Sequence, residues 1–191
     1  MFDYLPSISN VLRRNIDVDD FANSLSNTQY KSKKWLVDSL KLQQIATNPS
    51  ILIIGGWYGS YLVPMLNETI NPSRIILTDA NPVALEVADI LHKRLKPTLE
   101  VKTLHVGVDT ITDSTDILIN TSCEHMISPG MSPNPNCFYV LQSCDNKNDP
   151  GHNNTSQTTA DLVQKSGLTK ITFSGRLALG HKNRFMVMGY R

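Results

Sequence analysis

Apolar residues change their spacing along the chain near residue 50. Before that point they recur at helical intervals, and in residues 30–47 Trp35, Leu36 and Leu40 fall near one face before Asn48 and Pro49 end the pattern. Shorter clusters in residues 1–28 favour one or two short amphipathic helices. From residue 51 onward, short apolar runs alternate with amphipathic segments. This pattern predicts strands over residues 51–54, 74–78, 101–106, 116–120, 138–142, 170–173 and 184–190, and helices over residues 58–70, 82–95 and 155–166.

This order of elements predicts an α/β fold: a doubly wound, mostly parallel seven-stranded sheet in three α/β/α layers. The last connection is an exception, because only residues 174–184 separate Phe173 from Phe185, with two glycines among them. That segment is too short for a crossover helix, so we predict that the last strand runs antiparallel. A chain of 191 residues forms one domain. We predict a helical cap over residues 1–48 and a Rossmann-like core over residues 49–191.

Composition and cysteine spacing exclude several classes of protein. With 40% hydrophobic and 18% charged residues, the chain resembles neither disordered nor disulfide-rich proteins. No apolar stretch reaches the roughly 20 residues of a membrane span, and no secretory leader is evident. Cys123, Cys137 and Cys144 are widely spaced, so we expect reduced thiols and a cytoplasmic protein. We predict no metal site, because a set drawn from Cys123, His125, Cys144 and His152 lacks the repeated short spacing of zinc ligands.

A glycine-rich turn and a following acid mark a nucleotide-type site. The first strand ends in ILIIGGWYGS, and Asp79 follows Gly55 by 24 residues at the end of the second strand. Glycines allow a ligand close to the turn, and a carboxylate accepts hydrogen bonds from a ribose diol. Trp57 stands where a dinucleotide motif needs a small residue for the pyrophosphate. A ligand without phosphates therefore fits better than a nicotinamide dinucleotide.

These residues resemble the first motif of class I S-adenosylmethionine-dependent methyltransferases. Gly55 and Gly59 match its outer glycines, and Asp79 matches the ribose-binding acid. The chain departs from the motif at two positions: Trp57 replaces the middle glycine, and Ile53 replaces the usual acid. The resemblance covers roughly residues 30–191, and more specifically the chain is similar to compact methyltransferase-like proteins of tailed phages. It implies S-adenosylmethionine as cofactor. The implied cofactor contacts are Gly55, Gly56, Trp57, Gly59, Asp79, Ala80, Asn81, Val108 and Asp109, with Gln29 and Lys33 near the methionine end.

The segment after the fourth strand, INTSCEHM, carries the densest set of chemically active side chains. Ligands of open α/β sheets lie at the carboxyl ends of the strands, which is where this segment falls. The resemblance implies a catalytic loop here, with Asn120 matching its first position and the Pro-Pro-aromatic remainder absent. We predict Glu124 or His125 as a general base. The alternative is that both merely cap the following turn.

The methyl acceptor is predicted only by class. Residues 162–191 contain six basic and no acidic side chains. We expect Arg176, Lys182 and Arg184, together with His152 after the fifth strand, to line a substrate rim suited to an anionic acceptor, either a small molecule or RNA. Two other functions stay open: a non-catalytic cofactor- or nucleic-acid-binding protein, favoured by Ile53 and the incomplete loop motif, and, less favoured, a nicotinamide-dependent oxidoreductase. The sequence specifies neither the acceptor nor the oligomeric state.

Overall fold

The computed structural model describes residues 5–14, 16–95, 98–106 and 109–191. Its strands are β1 (Ser50–Ile54), β2 (Arg74–Asp79), β3 (Leu99–Thr103), β4 (Ile117–Asn120), β5 (Phe138–Cys144), β6 (Lys170–Leu179) and β7 (Lys182–Tyr190). Its α-helices are α1 (Leu5–Leu12), α2 (Val18–Ser24), α3 (Asn27–Lys41), α4 (Leu62–Thr69), α5 (Pro82–Leu91) and α6 (Thr159–Ser166). Short 3₁₀ turns lie at Lys93–Leu95 and Cys123–His125.

The strands form one sheet in the order β3-β2-β1-β4-β5-β7-β6. Strands β1 to β5 pair in parallel, while β7 runs antiparallel to both β5 and β6. The apolar run of β1 is buried on both sides because it lies between β2 and β4 near the middle of the sheet. The predicted seven-stranded, mostly parallel sheet with an antiparallel last strand is confirmed.

The two faces of the sheet have separate cores. Ile51 and Ile53 point into a core formed with α3, α4 and α5. Leu52 and Ile54 point to the other face, where α6 and several loops cover the sheet. This alternation follows from the period-two geometry of a strand, and it produces the three layers predicted from the sequence.

The largest correction concerns residues 174–184, which the sequence analysis treats as a loop after a short strand. They continue a β-hairpin in which β6 and β7 are joined through Gly180 and His181. Gly180 has a φ of +69°, the left-handed conformation that such a tight turn requires. In this ladder Arg176 pairs with Phe185, whereas Leu177 pairs with Arg184. Arg176 and Arg184 therefore lie on opposite faces of the sheet, because neighbouring pairs alternate.

Other boundaries move by a few residues, and each has a local cause. Helix α3 begins early, because the Ser26 side chain accepts a hydrogen bond from the Gln29 backbone N–H. Helix α6 begins at Thr159, where Thr158 caps it in the same way. The predicted helix over residues 58–70 starts only at α4, since the glycine turn occupies residues 55–59. The predicted strand over residues 101–106 is β3, which starts and ends earlier.

The N-terminal helices α1 and α2 pack on α5 and on the turn after β1. Val11 and Phe21 share a small core with Tyr58, Val87 and Leu91. The rings of Phe21 and Tyr58 meet edge to face, with centroids 5.5 Å apart. Among the described residues, no helix combines the length and apolar character needed to span a bilayer.

Candidate functional site

A cavity of about 810 Å³ opens at the carboxyl ends of the parallel strands. The chain reverses its direction of strand addition between β1 and β4, and open α/β sheets hold their ligands in the crevice at such a point. The cavity walls come from the segments after β1 to β5, from α2 and α3, and from the end of the β6–β7 hairpin. Its position was expected from the sequence.

The glycine turn after β1 forms one wall. Gly55 and Gly59 have φ values of +58° and +63°, so both need the freedom of glycine. A Cβ on Gly59 would lie 2.7 Å from a Val63 methyl carbon, which keeps the turn close to α4. Trp57 also has a positive φ, +53°, which costs a non-glycine residue roughly 1–2 kcal/mol. Contacts of its backbone and ring hold it in this conformation.

Asp79, at the end of β2, stabilises the glycine turn after β1 through hydrogen bonds. Its Oδ2 accepts a hydrogen bond from the Trp57 backbone N–H at 2.8 Å, and its Oδ1 accepts one from the Asn81 N–H at 2.9 Å. A carboxylate oxygen can accept more than one hydrogen bond, so both retain acceptor capacity. Asp79 and Ala80 line the cavity. Asn81 does not, because its side chain caps α5 by accepting hydrogen bonds from the Val83 and Ala84 N–H groups.

The Trp57 ring is held by α2. Its Nε1 donates to Asp20 Oδ2 at 3.0 Å, and the Tyr58 hydroxyl donates to the same oxygen at 2.7 Å. The two rings stack, with centroids 5.0 Å apart. Burial and the bond to Asp20 raise the pKa of Tyr58 well above its usual value. Asp20 and Trp57 thus form the side of the cavity nearest the N-terminal helices.

The wall after β3 consists of Leu104, His105 and Val106. From the sequence, Val108 and Asp109 were expected at this wall instead. Val108 lies outside the described residues. Asp109 does not line the cavity, since its Oδ2 accepts a hydrogen bond from the His105 backbone N–H at 2.7 Å and so stabilises the local turn.

Helix α3 brings Gln29 and Lys33, which are predicted from the sequence to contact the cofactor, to the cavity. Between them, Ser32 is buried and donates a hydrogen bond to Gln142 Oε1 on β5 at 3.3 Å. Burial, followed by the charge of Arg184, lowers the pKa of Lys33 to about 7. Because the charges of Arg184 and Glu124 act on Lys33, it lies toward their end of the cavity.

A buried ion pair joins the segment after β4 to β7. Glu124 and Arg184 form a salt bridge, with side chains only 4% and 13% exposed. Burial works against both charges, but their mutual attraction dominates. It lowers the pKa of Glu124 and raises that of Arg184. Glu124 is therefore an anion fixed in place, and its charge is already matched.

Two histidines lie side by side at this end of the cavity. The ring centroids of His125 and His152 are 4.5 Å apart, at an angle of 76°. The Nδ1 of His125 lies 2.9 Å from the Gly151 carbonyl oxygen, which can only accept, so Nδ1 carries the proton and Nε2 has a free lone pair. The Nδ1 of His152 lies 2.5 Å from the Asn146 carbonyl oxygen and 3.6 Å from Cys144 Sγ.

Neither a protein-family model nor a curated protein matches this sequence. Solved structures do match in three dimensions. A SAM-dependent methyltransferase from Aquifex aeolicus aligns with a TM-score of 0.60 and 11% identity over 91% of this chain and 99% of its own. The chain has the class I methyltransferase fold.

Two further methyltransferase structures were solved with S-adenosylhomocysteine. M. capricolum TrmK aligns with a TM-score of 0.57 and 12% identity over 82% of this chain and 66% of its own. Coclaurine N-methyltransferase, which also holds N-methylheliamine, aligns with a TM-score of 0.58 and 14% identity over 77% of this chain. The present chain spans 51% of the length of that enzyme. The resemblance to phage proteins stays a prediction.

Within this methyltransferase fold, two further expected site residues, besides Asn81 and Asp109, do not line the cavity. Asn120 is fully buried and does not line the cavity: its Nδ2 donates to the Pro129 carbonyl at 3.0 Å, and its Oδ1 accepts from the Ser122 N–H at 2.9 Å. It shapes the loop from inside. Arg176 lies on the opposite face of the sheet from Arg184 and does not line the cavity, whereas Lys182 and Arg184 do.

Several cavity residues were not predicted from the sequence, including Asp20, Asn23, the segment Leu104 to Val106, Met126, Asn146 and Asp149. Most stand in segments without a recognisable motif. Asp20 carries a weak signal, because it is one of several acids at the start of a short helix. Its contact with the turn after β1 depends on how α2 packs, which no local pattern specifies.

Proposed function

We propose that this chain is an S-adenosylmethionine-dependent methyltransferase. One observation carries the proposal: Asp79 accepts a hydrogen bond from the Trp57 N–H, and the turn and the acid line one cavity at the switch point of a methyltransferase fold. S-adenosylmethionine has a ribose diol and no phosphate, which suits a carboxylate beside a turn that carries an indole ring.

The cavity offers different chemistry to the two ends of such a cofactor. The adenosine would lie between the glycine turn, Asp79 and the wall formed by Leu104 and Val106. The methionine end would lie toward Gln29 and Lys33 on α3, where the Lys33 amino group can donate hydrogen bonds to its carboxylate. We infer that the sulfonium methyl group then faces the segment that contains Glu124 and His125.

Methyl transfer is an in-line displacement at carbon. A lone pair of the acceptor forms a bond to the methyl carbon, the bond from that carbon to sulfur breaks, and its electron pair stays on the sulfur of S-adenosylhomocysteine. The reaction needs alignment and an acceptor without its proton. We assign the proton-accepting role to Nε2 of His125, which is free because Nδ1 donates to Gly151. Glu124 is paired with Arg184 and serves to position the segment.

For the acceptor, we infer a small molecule with an anionic group. Lys182 adds a basic side chain to the acceptor end of the cavity, beside the ion pair of Arg184 and Glu124. An RNA acceptor would gain from a broad basic surface, but Arg176 lies on the other face of the sheet and does not add to this end. Of the two acceptor classes, the small anionic molecule is therefore better supported.

Isothermal titration calorimetry with S-adenosylmethionine, S-adenosylhomocysteine and NAD tests the cofactor. The first two should bind and NAD should not. Asp79→Ala should weaken S-adenosylhomocysteine by about 10- to 100-fold, the usual effect of losing hydrogen bonds to a charged acceptor. The matched control is Asp116→Ala, since Asp116 also accepts a backbone N–H, from Ser50 at 2.8 Å, but at the opposite edge of the sheet.

Asp79 also fixes the turn, so each variant is first checked for an unchanged cooperative melt. Asp79→Asn, which keeps one acceptor oxygen, should bind with intermediate affinity. Tighter binding of NAD than of S-adenosylhomocysteine would support the oxidoreductase alternative instead. Equal affinities of wild type and a folded Asp79→Ala would remove the proposed ribose contact.

A further inference from the structure

Three potential metal ligands converge at the acceptor end of the cavity. A carboxylate oxygen of Glu124, Sγ of Cys144 and a ring nitrogen of His152 all lie within 4.8 Å of one another. They come from the turn after β4, the end of β5 and the loop that follows β5. Glu124 and Cys144 are buried, and His152 is mostly buried.

The Glu124 carboxylate has an unmet acceptor in this cluster. Its Oε1 is bound by Arg184, but Oε2 is buried and accepts no well-formed hydrogen bond from the part of the chain that the structure describes. The residue as a whole is only 3% exposed. The Cys144 thiol lies close enough to act on this carboxylate as a weak donor, and a weakly satisfied buried oxygen favours a cation in place of the thiol proton.

The sulfur and nitrogen positions match the geometry of zinc. A Zn–S distance of about 2.3 Å and a Zn–N distance of about 2.0–2.1 Å at a tetrahedral angle separate the two ligand atoms by about 3.6 Å. Cys144 Sγ and His152 Nδ1 are 3.6 Å apart. The carboxylate oxygen then needs to move by up to about 1.4 Å, because the three atoms lie within 4.8 Å of one another and tetrahedral ligand atoms are roughly 3.4–3.6 Å apart.

The surroundings of His152 allow it to change from hydrogen-bond donor to ligand. Without a cation, its Nδ1 donates to Asn146 O. When Nδ1 binds a cation, the Asn146 carbonyl, 2.5 Å away, turns aside, and the ring proton resides on Nε2, which lies 3.7 Å from the Asp149 carboxylate. A carboxylate beside the outer nitrogen of a histidine is the usual support of a metal ligand.

We propose that Glu124, Cys144 and His152 form a three-ligand site for a zinc-type divalent cation. One thiolate, one imidazole and one carboxylate suit zinc better than magnesium or calcium, which prefer oxygen ligands alone. The cation would be bound by one thiolate and by the Glu124 carboxylate, whose charge it would share with Arg184, since Arg184 keeps its bond to Oε1. Three protein ligands leave a fourth position, as in catalytic zinc sites. This site revises the prediction of no metal, and it stands whether or not the chain transfers methyl groups.

The test uses the purified full-length protein, treated with a chelator and then titrated with Co²⁺ and Zn²⁺. Co²⁺ should bind one per chain and give a thiolate-to-cobalt charge-transfer absorption. Zn²⁺ should displace it, with an affinity measured against a chromogenic chelator. Cys144→Ser should abolish the charge-transfer band, and His152→Ala should weaken Zn²⁺ by about 100-fold or more, since even supporting residues contribute 10- to 100-fold.

The matched control is Cys137→Ser, because Cys137 is equally buried but precedes β5 at the opposite end of that strand. It should keep the cobalt band. Wild type that binds no Co²⁺ through a thiolate, or a band that survives Cys144→Ser, would overturn the site. Calorimetry with S-adenosylhomocysteine on the same samples measures cofactor binding independently of metal binding. A variant that loses Zn²⁺ binding but still binds S-adenosylhomocysteine is folded, so its loss of Zn²⁺ binding bears on the metal site alone.

Discussion

Replacing the charged Arg184 with methionine should lower the free energy of unfolding by several kcal/mol. Arg184→Met keeps most of the side-chain volume but leaves the Glu124 carboxylate, 4% exposed, without its partner. Breaking a buried ion pair from one side usually costs about 3–5 kcal/mol, because the remaining charge is uncompensated. Replacing both partners of a buried ion pair with apolar residues, in contrast, often changes the free energy of unfolding very little.

The magnitude has a physical ceiling, since Glu124 can take up a proton instead of staying charged. Protonating a carboxyl of ordinary pKa, about 4.3, at pH 7 costs about 3.7 kcal/mol. We therefore expect a loss of about 3–4 kcal/mol for Arg184→Met at pH 7. For a chain of 191 residues, an unfolding entropy of about 2.1 cal/mol/K per residue converts this into a fall in Tm of roughly 9 °C.

Urea denaturation of wild type, Arg184→Met, Glu124→Gln and the double variant measures the effect, with a chelator present so that no metal contributes. The double variant should recover at least 2 kcal/mol relative to the sum of the single changes. The penalty of Arg184→Met should shrink at pH 4, where the carboxyl is protonated more easily. Lys34→Met, which breaks an exposed ion pair with Asp38, is the control and should change little. A loss below 1 kcal/mol for Arg184→Met, additive with Glu124→Gln, would refute the reasoning.

Three further outcomes are expected. Burial lowers the pKa of His92 to about 4 in the folded protein, below the ordinary 6.5 of the unfolded chain. The free energy of unfolding should therefore be highest above pH 6.5 and should fall by about 3 kcal/mol as the pH drops to 4. In urea denaturation at a series of pH values, His92→Gln should flatten this dependence. Asp20→Asn weakens two charge-assisted hydrogen bonds to the turn after β1, so hydrogen exchange at the Trp57 backbone amide should accelerate. Asp19 is an exposed neighbour, and Asp19→Asn should leave this exchange rate unchanged. His125→Ala should lower methyl transfer by about 10²- to 10⁴-fold with S-adenosylhomocysteine affinity intact, and undiminished turnover would place the base elsewhere.

Local patterns determined most of the framework. Strands β1, β4 and β5 were predictable because strands buried on both faces must be continuously apolar, and their runs stand between turn residues. The antiparallel last strand followed from a connection too short to cross over the sheet. The glycine turn and Asp79 were predictable as one site, since both lie at the carboxyl ends of neighbouring parallel strands, where topology alone brings them together.

The direction in which each side chain points was decided by the tertiary structure. From the sequence, Arg176 and Arg184 were expected on one rim of the site. The register of the β6–β7 hairpin instead places them on opposite faces of the sheet, and only this register determines which of them reaches the cavity. Asn120 stands at the expected position, yet its amide turns inward, because the following loop needs its hydrogen bonds.

The cluster of Glu124, Cys144 and His152 shows the same limit most clearly. No repeated spacing marks these residues, and the two strand ends that carry the first two become neighbours only when β4 pairs with β5. Sequence determined which strands exist and where their chemistry-bearing ends lie, because those follow from hydrophobic period and connection length. The partners of each polar group depend on long-range pairing, and that was decided only by the folded sheet.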